Sequence, residues 1–164
     1  MERATRCLAG AGVGPSAAIC ICCAAHSLRA ASAELVEVAV RDSRSSRREA
    51  AATALKEKLA QSQGNAAAVI GPLLQVPYQE SRPEIRANAY RAMGIIGDPS
   101  AVGLLTHYLK TEEKAAVKQL IVEALGRIGP DAKAAAPLIE LVAGSAGSAE
   151  LRDSCARAVQ SITR

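Results

Sequence analysis

The sequence predicts an all-α protein, a short solenoid of about four helical hairpins, and three observations lead there. The 164 residues hold no Trp, no Phe and three Tyr, yet 49% of them are hydrophobic, so the apolar content comes from Ala, Leu, Ile and Val. Ala and Leu favour helices and large strand-favouring aromatics are nearly missing, so closely packed helices are expected rather than a sandwich or barrel. A motif of apolar residues at helical spacing returns at intervals of 32 to 38 residues, the mark of a repeat array. Gly and Pro punctuate the chain between copies.

The chain opens with a segment of a different kind. Arg3 and Arg6 precede an uncharged run from Cys7 to Ala25, and His26, Arg29 and the small residues Ala30 to Ala33 follow. A short basic start, an apolar centre and an A-x-A site at Ala31-Ser32-Ala33 are the layout of a secretory signal. Residues 1–33 are therefore expected to be a signal peptide cut after Ala33, with Ala25 as the alternative, and the protein is expected to be exported to a bacterial periplasm or secreted. Two other readings stay open. A retained membrane anchor is weakened by Gly10, Gly12, Gly14 and Pro15, since a spanning helix needs about twenty apolar residues. An organellar presequence fits the Ala and Arg content, but the uncharged run is long for an amphipathic one.

Four cysteines, Cys7, Cys20, Cys22 and Cys23, fall in this segment. A metal site needs further ligands held by folded structure, and Ile19, Ile21 and Cys22 stand where a lipidation motif wants small residues. Cys155 alone remains in residues 34–164, which excludes a disulfide framework there. The formal charge of +4 falls to +2 when Arg3, Arg6, Arg29 and Glu2 are removed with the leader. That is too mild for a nucleic-acid binder, which carries a dense basic face. The basic cluster Arg41, Arg44, Arg47 and Arg48 reads as a solvated loop and helix start.

Past residue 33 the array is expected to begin with a half unit, because Leu35-Val36-Glu37-Val38-Ala39-Val40 reads as the tail of a second helix. Full units follow. Arg86-x-x-Ala89-x-x-Ala92-Met93-x-x-Ile96-Gly97 returns as Lys118-x-x-Ile121-x-x-Ala124-Leu125-x-x-Ile128-Gly129, an offset of 32. Arg152-x-x-Cys155-x-x-Ala158-Val159-x-x-Ile162 follows after 34 more, and Arg48-x-x-Ala51-x-x-Ala54-Leu55 comes 38 before Arg86. Apolar residues at i, i+3, i+4 and i+7 share one helical face, so each copy is the first helix of a hairpin. Gly97-Asp98-Pro99 and Gly129-Pro130-Asp131 stop two of them. Second helices are expected at Ala68–Leu74, Ala101–Leu105 and Ala135–Ile139. The 38-residue spacing implies an insertion around Gln61 to Asn65, and the last copy has no room for a second helix before Arg164.

One further regularity concerns charge. Asp42, Glu80 and Glu112 stand six residues before Arg48, Arg86 and Lys118, while Ala146 holds that place before Arg152. An acid in the turn followed by a base on the next helix resembles the acid and arginine ladder of HEAT repeats, and the run Gly97 to Val102 is similar to the phycobilisome-lyase HEAT-like subclass. The resemblance spans about Leu35 to Ile162. It implies a right-handed stack of hairpins whose second helices line a concave face, used mainly to bind other proteins, with the ladder residues fixing register between repeats. Bilin attachment is not expected from repeat type alone, because fold does not carry function.

No H-E-x-x-H, C-x-x-C, G-x-S-x-G or phosphate-binding glycine loop is present, and His107 is the sole histidine after residue 33. No catalytic residue, metal or cofactor is therefore expected. Thr106, His107, Tyr108 and Lys110 form a candidate contact patch on one second helix, which Gln75 and Tyr78 extend from the preceding repeat, since an aromatic beside polar groups is a common interface anchor. Cys155 aligns with Ala89 and Ile121 and is expected to point inward. The expected function is a non-catalytic protein-binding scaffold of the envelope or exported space. The alternatives are an accessory subunit or small-ligand carrier completing another enzyme's site, and an adaptor tethered to a membrane by a retained N-terminus.

Overall fold

The computed structural model describes residues 21–62 and 65–164, with side chains from Ser27 onward. Most of the expected leader, including all four of its cysteine side chains, lies outside them. Eight α-helices run through the described residues in alternation. The first helices of the hairpins are α2 (Ser45–Gln61), α4 (Pro83–Ile96), α6 (Ala115–Ile128) and α8 (Ala149–Ile162). The second helices are α1 (Ile21–Arg41), α3 (Ala66–Gln79), α5 (Val102–Thr111) and α7 (Ala136–Ser145). Short 3₁₀ turns at Pro99–Ala101 and Gly129–Ala135 lead into α5 and α7. The all-α solenoid is as the repeat predicts, from the half unit at α1 to the single helix α8.

Each first helix stacks on the next, and each second helix packs against the first helix that follows it. Burial of Leu55, Leu73, Met93, Leu105, Leu125 and Ile139 joins the hairpins into one continuous core. No hairpin buries its apolar face alone, which is why the array stands only as a stack. The small side chains set the spacing. A Cβ on Gly94 would lie 2.8 Å from the Ala124 Cα, and one on Gly126 would lie 2.9 Å from the Ala158 Cα. Successive first helices thus approach almost backbone to backbone, at positions 32 residues apart.

The turns follow their residues. α4 ends on Gly97 at φ 72°, a left-handed cap that an L side chain resists, and Asp98 then accepts the Ser100 N–H at 2.8 Å to start the 3₁₀ turn. α8 starts on Ser148, whose hydroxyl accepts the Leu151 N–H at 3.3 Å.

Two expectations are corrected. The extra length between the first two copies is not a loop confined to 61–65. α2 has 17 residues where α4, α6 and α8 each have 14, and α3 has 14 where α5 and α7 each have 10. The half unit is also larger than the tail beginning at Leu35. α1 starts at Ile21, so the expected boundary at Ala33 falls inside a continuous helix, with Ser32 wholly buried and its hydroxyl donating to the Leu28 carbonyl at 2.7 Å.

Candidate protein-contact face

The chain holds three tyrosines, and all of them meet at one place. Tyr78 comes from the last turn of α3, Tyr108 from α5 and Tyr90 from the middle of α4. The ring centroids of Tyr78 and Tyr108 are 5.7 Å apart, those of Tyr90 and Tyr108 also 5.7 Å, and His107 sits edge-on to Tyr108 at 5.3 Å. These are the offset and tilted arrangements in which aromatic quadrupoles attract. Tyr78 is 67% exposed, Tyr108 is half-buried and Tyr90 is completely enclosed. The cluster therefore runs from surface to core, and the outer ring is supported from beneath.

Of the expected contact residues, Gln75, Tyr78, His107 and Lys110 are exposed on α3 and α5. Gln79 donates to the Gln75 side-chain carbonyl at 3.3 Å. Thr106 is less available, since its hydroxyl donates to the Val102 carbonyl at 2.7 Å within its own helix. Gln75, His107 and Leu141 occupy equivalent places on α3, α5 and α7, at offsets of 32 and 34, and Leu141 is 70% exposed. Beside this row a groove of about 540 Å³ runs between α1 and α3, floored by Ala33, Val36, Pro72 and Val76.

Tyr90 was hidden from sequence reasoning because it lies off the i, i+3, i+4, i+7 stripe of its helix. An interior first helix packs against the first helices on either side and the second helix before it, so its buried arc is wider than one stripe. The signal that locates it is the aligned apolar residue Val122, also buried. Burial pushes the Tyr90 phenol far above its ordinary value, helped by Tyr108 and opposed by the nearby Arg86 guanidinium, and its hydroxyl makes no well-aligned hydrogen bond. Burial likewise raises Tyr108, with Tyr78 adding to it.

The charged ladder is built differently from the expectation. The base of each copy does not meet the carboxylate six residues before it. Arg48 Nη1 donates to the backbone carbonyls of Asp42 at 2.8 Å and Ser43 at 3.2 Å, Arg86 Nη1 to those of Glu80 at 3.4 Å and Ser81 at 2.7 Å, and Arg152 Nη1 to that of Ala146 at 3.2 Å. A second helix ends with bare carbonyls, and an arginine in the next helix's first turn can reach back over them. The carbonyl is there whatever the side chain, which is why Ala146 serves as well as an acid.

The acids turn elsewhere. Asp42 pairs with Arg47 at 3.3 Å, and Glu80 with Arg82 at 3.0 Å and with Arg41 of α1 at 3.2 Å. Glu112 pairs with Arg86 of the preceding repeat at 3.2 Å, both largely buried. Lys118 has no ion-pair partner within 4 Å among the described residues. Hydrogen bonds from the Arg82 side chain and backbone hold the Glu80 carboxyl down at about 2.

Cys155 is 1% exposed, inward as expected, and burial raises its thiol above the ordinary range, which disfavours the reactive thiolate. Among the described residues no three His, Cys, Asp or Glu side chains gather as a metal site, and no helix is long and apolar enough to cross a membrane.

Compared with known proteins, residues 70–160 match the family model described as HEAT repeats. No curated protein and no solved structure matches the chain. The likeness of Gly97 to Val102 to the phycobilisome-lyase subclass rests on that run alone. With hairpins stacked through close first-helix contacts, left-handed glycine caps and a match over more than half its length, the chain belongs to the HEAT-repeat family.

Proposed function

We propose that the protein is a non-catalytic scaffold that binds another protein through its second-helix face, around Tyr78, His107 and Tyr108. HEAT repeats typically serve as protein-interaction scaffolds. The observation that carries the choice of face is where large apolar side chains stand in water. Among the described residues these are Tyr78 and Leu141, both on second helices. An exposed tyrosine braced by Tyr108, which itself rests on Tyr90, loses little freedom on binding, the character of an interface anchor.

The test uses the full chain as bait in extract of its own source, with Tyr78→Ala and Tyr108→Ala together against the unchanged protein. Loss of a specific partner with the fold retained supports the face, and unchanged capture sinks it.

The basic start, uncharged centre and small-residue run of residues 1–33 support export as the route to that partner. The mass of the mature N-terminus decides it, an intact Met1 in the native host being the contrary result.

A further inference from the structure

The packing of α1 includes Leu28 and Ser32, ahead of Glu34, and we infer that export processing, on the reading just proposed, cuts after Ala25, trimming Ile21–Ala25 from α1 and keeping the length that lies against α2 and α3. Helix register places the cut. Arg41, the last residue of α1, pairs with Glu80, just past the end of α3, at 3.2 Å. The groove between them is lined in step, with Arg29, Ala33 and Val36 along one wall and Pro72, Gln75 and Val76 along the other, so α1 and α3 run side by side in the same direction. Both rise about 1.5 Å per residue. Carried back from Arg41 and Glu80, that register brings Ala66, the first residue of α3, abreast of Ser27.

α2 gives the same answer independently. It runs antiparallel to α1 after a tight turn at Asp42 to Arg44, and its 17 residues reach back along α1 to about residue 25 at the same rise. α2 and α3 therefore both run out between residues 25 and 27. Everything from Ser27 on has a helix to lie against. Leu28 packs on the core, Ser32 is wholly buried, and Asn88 of α4 donates to the Val40 carbonyl at 2.9 Å, holding the far end.

A cut after Ala33 removes Leu28 and Ser32 and exposes the α2 and α3 residues beneath them. A cut after Ala25 leaves Leu28 and Ser32 in place. The enzyme's requirement for small side chains at −3 and −1 is met there by Cys23 and Ala25, so the sequence permits the cut that the fold needs.

The experiment expresses the full chain in a bacterial host with an intact export pathway and reads the N-terminus by mass. Alongside it run Ala25→Leu and Ala33→Leu, each placing a residue too large for the −1 pocket. The expected result is a product beginning at His26, accumulation of precursor with Ala25→Leu, and normal processing with Ala33→Leu. A product beginning at Glu34 that Ala33→Leu blocks overturns the inference while leaving export standing. An uncut chain held inside the cell overturns export and the processing site together.

Discussion

Gly94 lies against Ala124 so closely that a single added carbon would stand 2.8 Å from the Ala124 Cα. Gly126 repeats the relationship with Ala158 at 2.9 Å. In α8 the equivalent place is held by Gln160, which is exposed because no first helix follows. In α2 the aligned residue is Lys56, exposed although α4 follows, so the glycines belong to the α4–α6 and α6–α8 contacts alone.

The first prediction follows. Alanine is the better helix former by about 1 kcal/mol, yet Gly94→Ala and Gly126→Ala are each expected to destabilise the protein, because overpacking of about 1–3 kcal/mol outweighs that gain. Gln160→Ala is expected to be neutral or slightly stabilising. Urea unfolding of the three variants checks the difference in sign.

Tyr90 contributes its ring and not its hydroxyl. Tyr90→Phe removes a buried group that makes no well-aligned hydrogen bond, so stability is expected to hold or rise by up to about 1 kcal/mol, where losing a bonded hydroxyl would cost about that much. Tyr90→Ala is expected to cost about 3–5 kcal/mol through the cavity. A large loss in the phenylalanine variant contradicts the geometry.

A third prediction concerns Lys118. Arginine at the three equivalent positions spans the turn to backbone carbonyls, and lysine lacks the planar fork for it. Lys118→Arg is expected to bond the Glu112 carbonyl and raise stability by up to about 1 kcal/mol, seen as a higher thermal midpoint. Arg152→Ala is expected to lower it.

Glu80 sets a pH dependence. Its carboxyl is lowered from 4.5 to about 2 in the folded chain, so the folded state holds the charged form more tightly than the unfolded state does. The stability this contributes is fully present above 4.5 and is lost as pH falls through about 2. Glu80→Gln is expected to be less stable than the parent at neutral pH, and the gap between their thermal midpoints is expected to close over that acid window. A gap independent of pH contradicts the assignment.

Much of the fold was legible because repetition exposes the pattern four times. The first helices, their glycine stops and the inward Cys155 follow from period and alignment, and Tyr78 and Tyr108 were placed together through the same register. Tyr90 was not, since a helix with neighbours on several sides buries residues that a one-stripe pattern leaves outside. In α8 the residue aligned with it, Ala156, is exposed. The ladder was legible as a spacing but not as chemistry, because a spacing of six residues says that Arg152 and Ala146 are close without saying that the carbonyl is what they share. The start of α1 was masked by a segment that also reads as a leader.

The central claim, a partner bound on the second-helix face, is tested most directly by a photo-crosslinking residue placed in turn at His107, at Leu141 and at Thr53, the last exposed on a first helix. His107 and Leu141 are expected to capture the same partner in native extract, and Thr53 is not. Capture from Thr53 alone, or equally from all three, would contradict the claim.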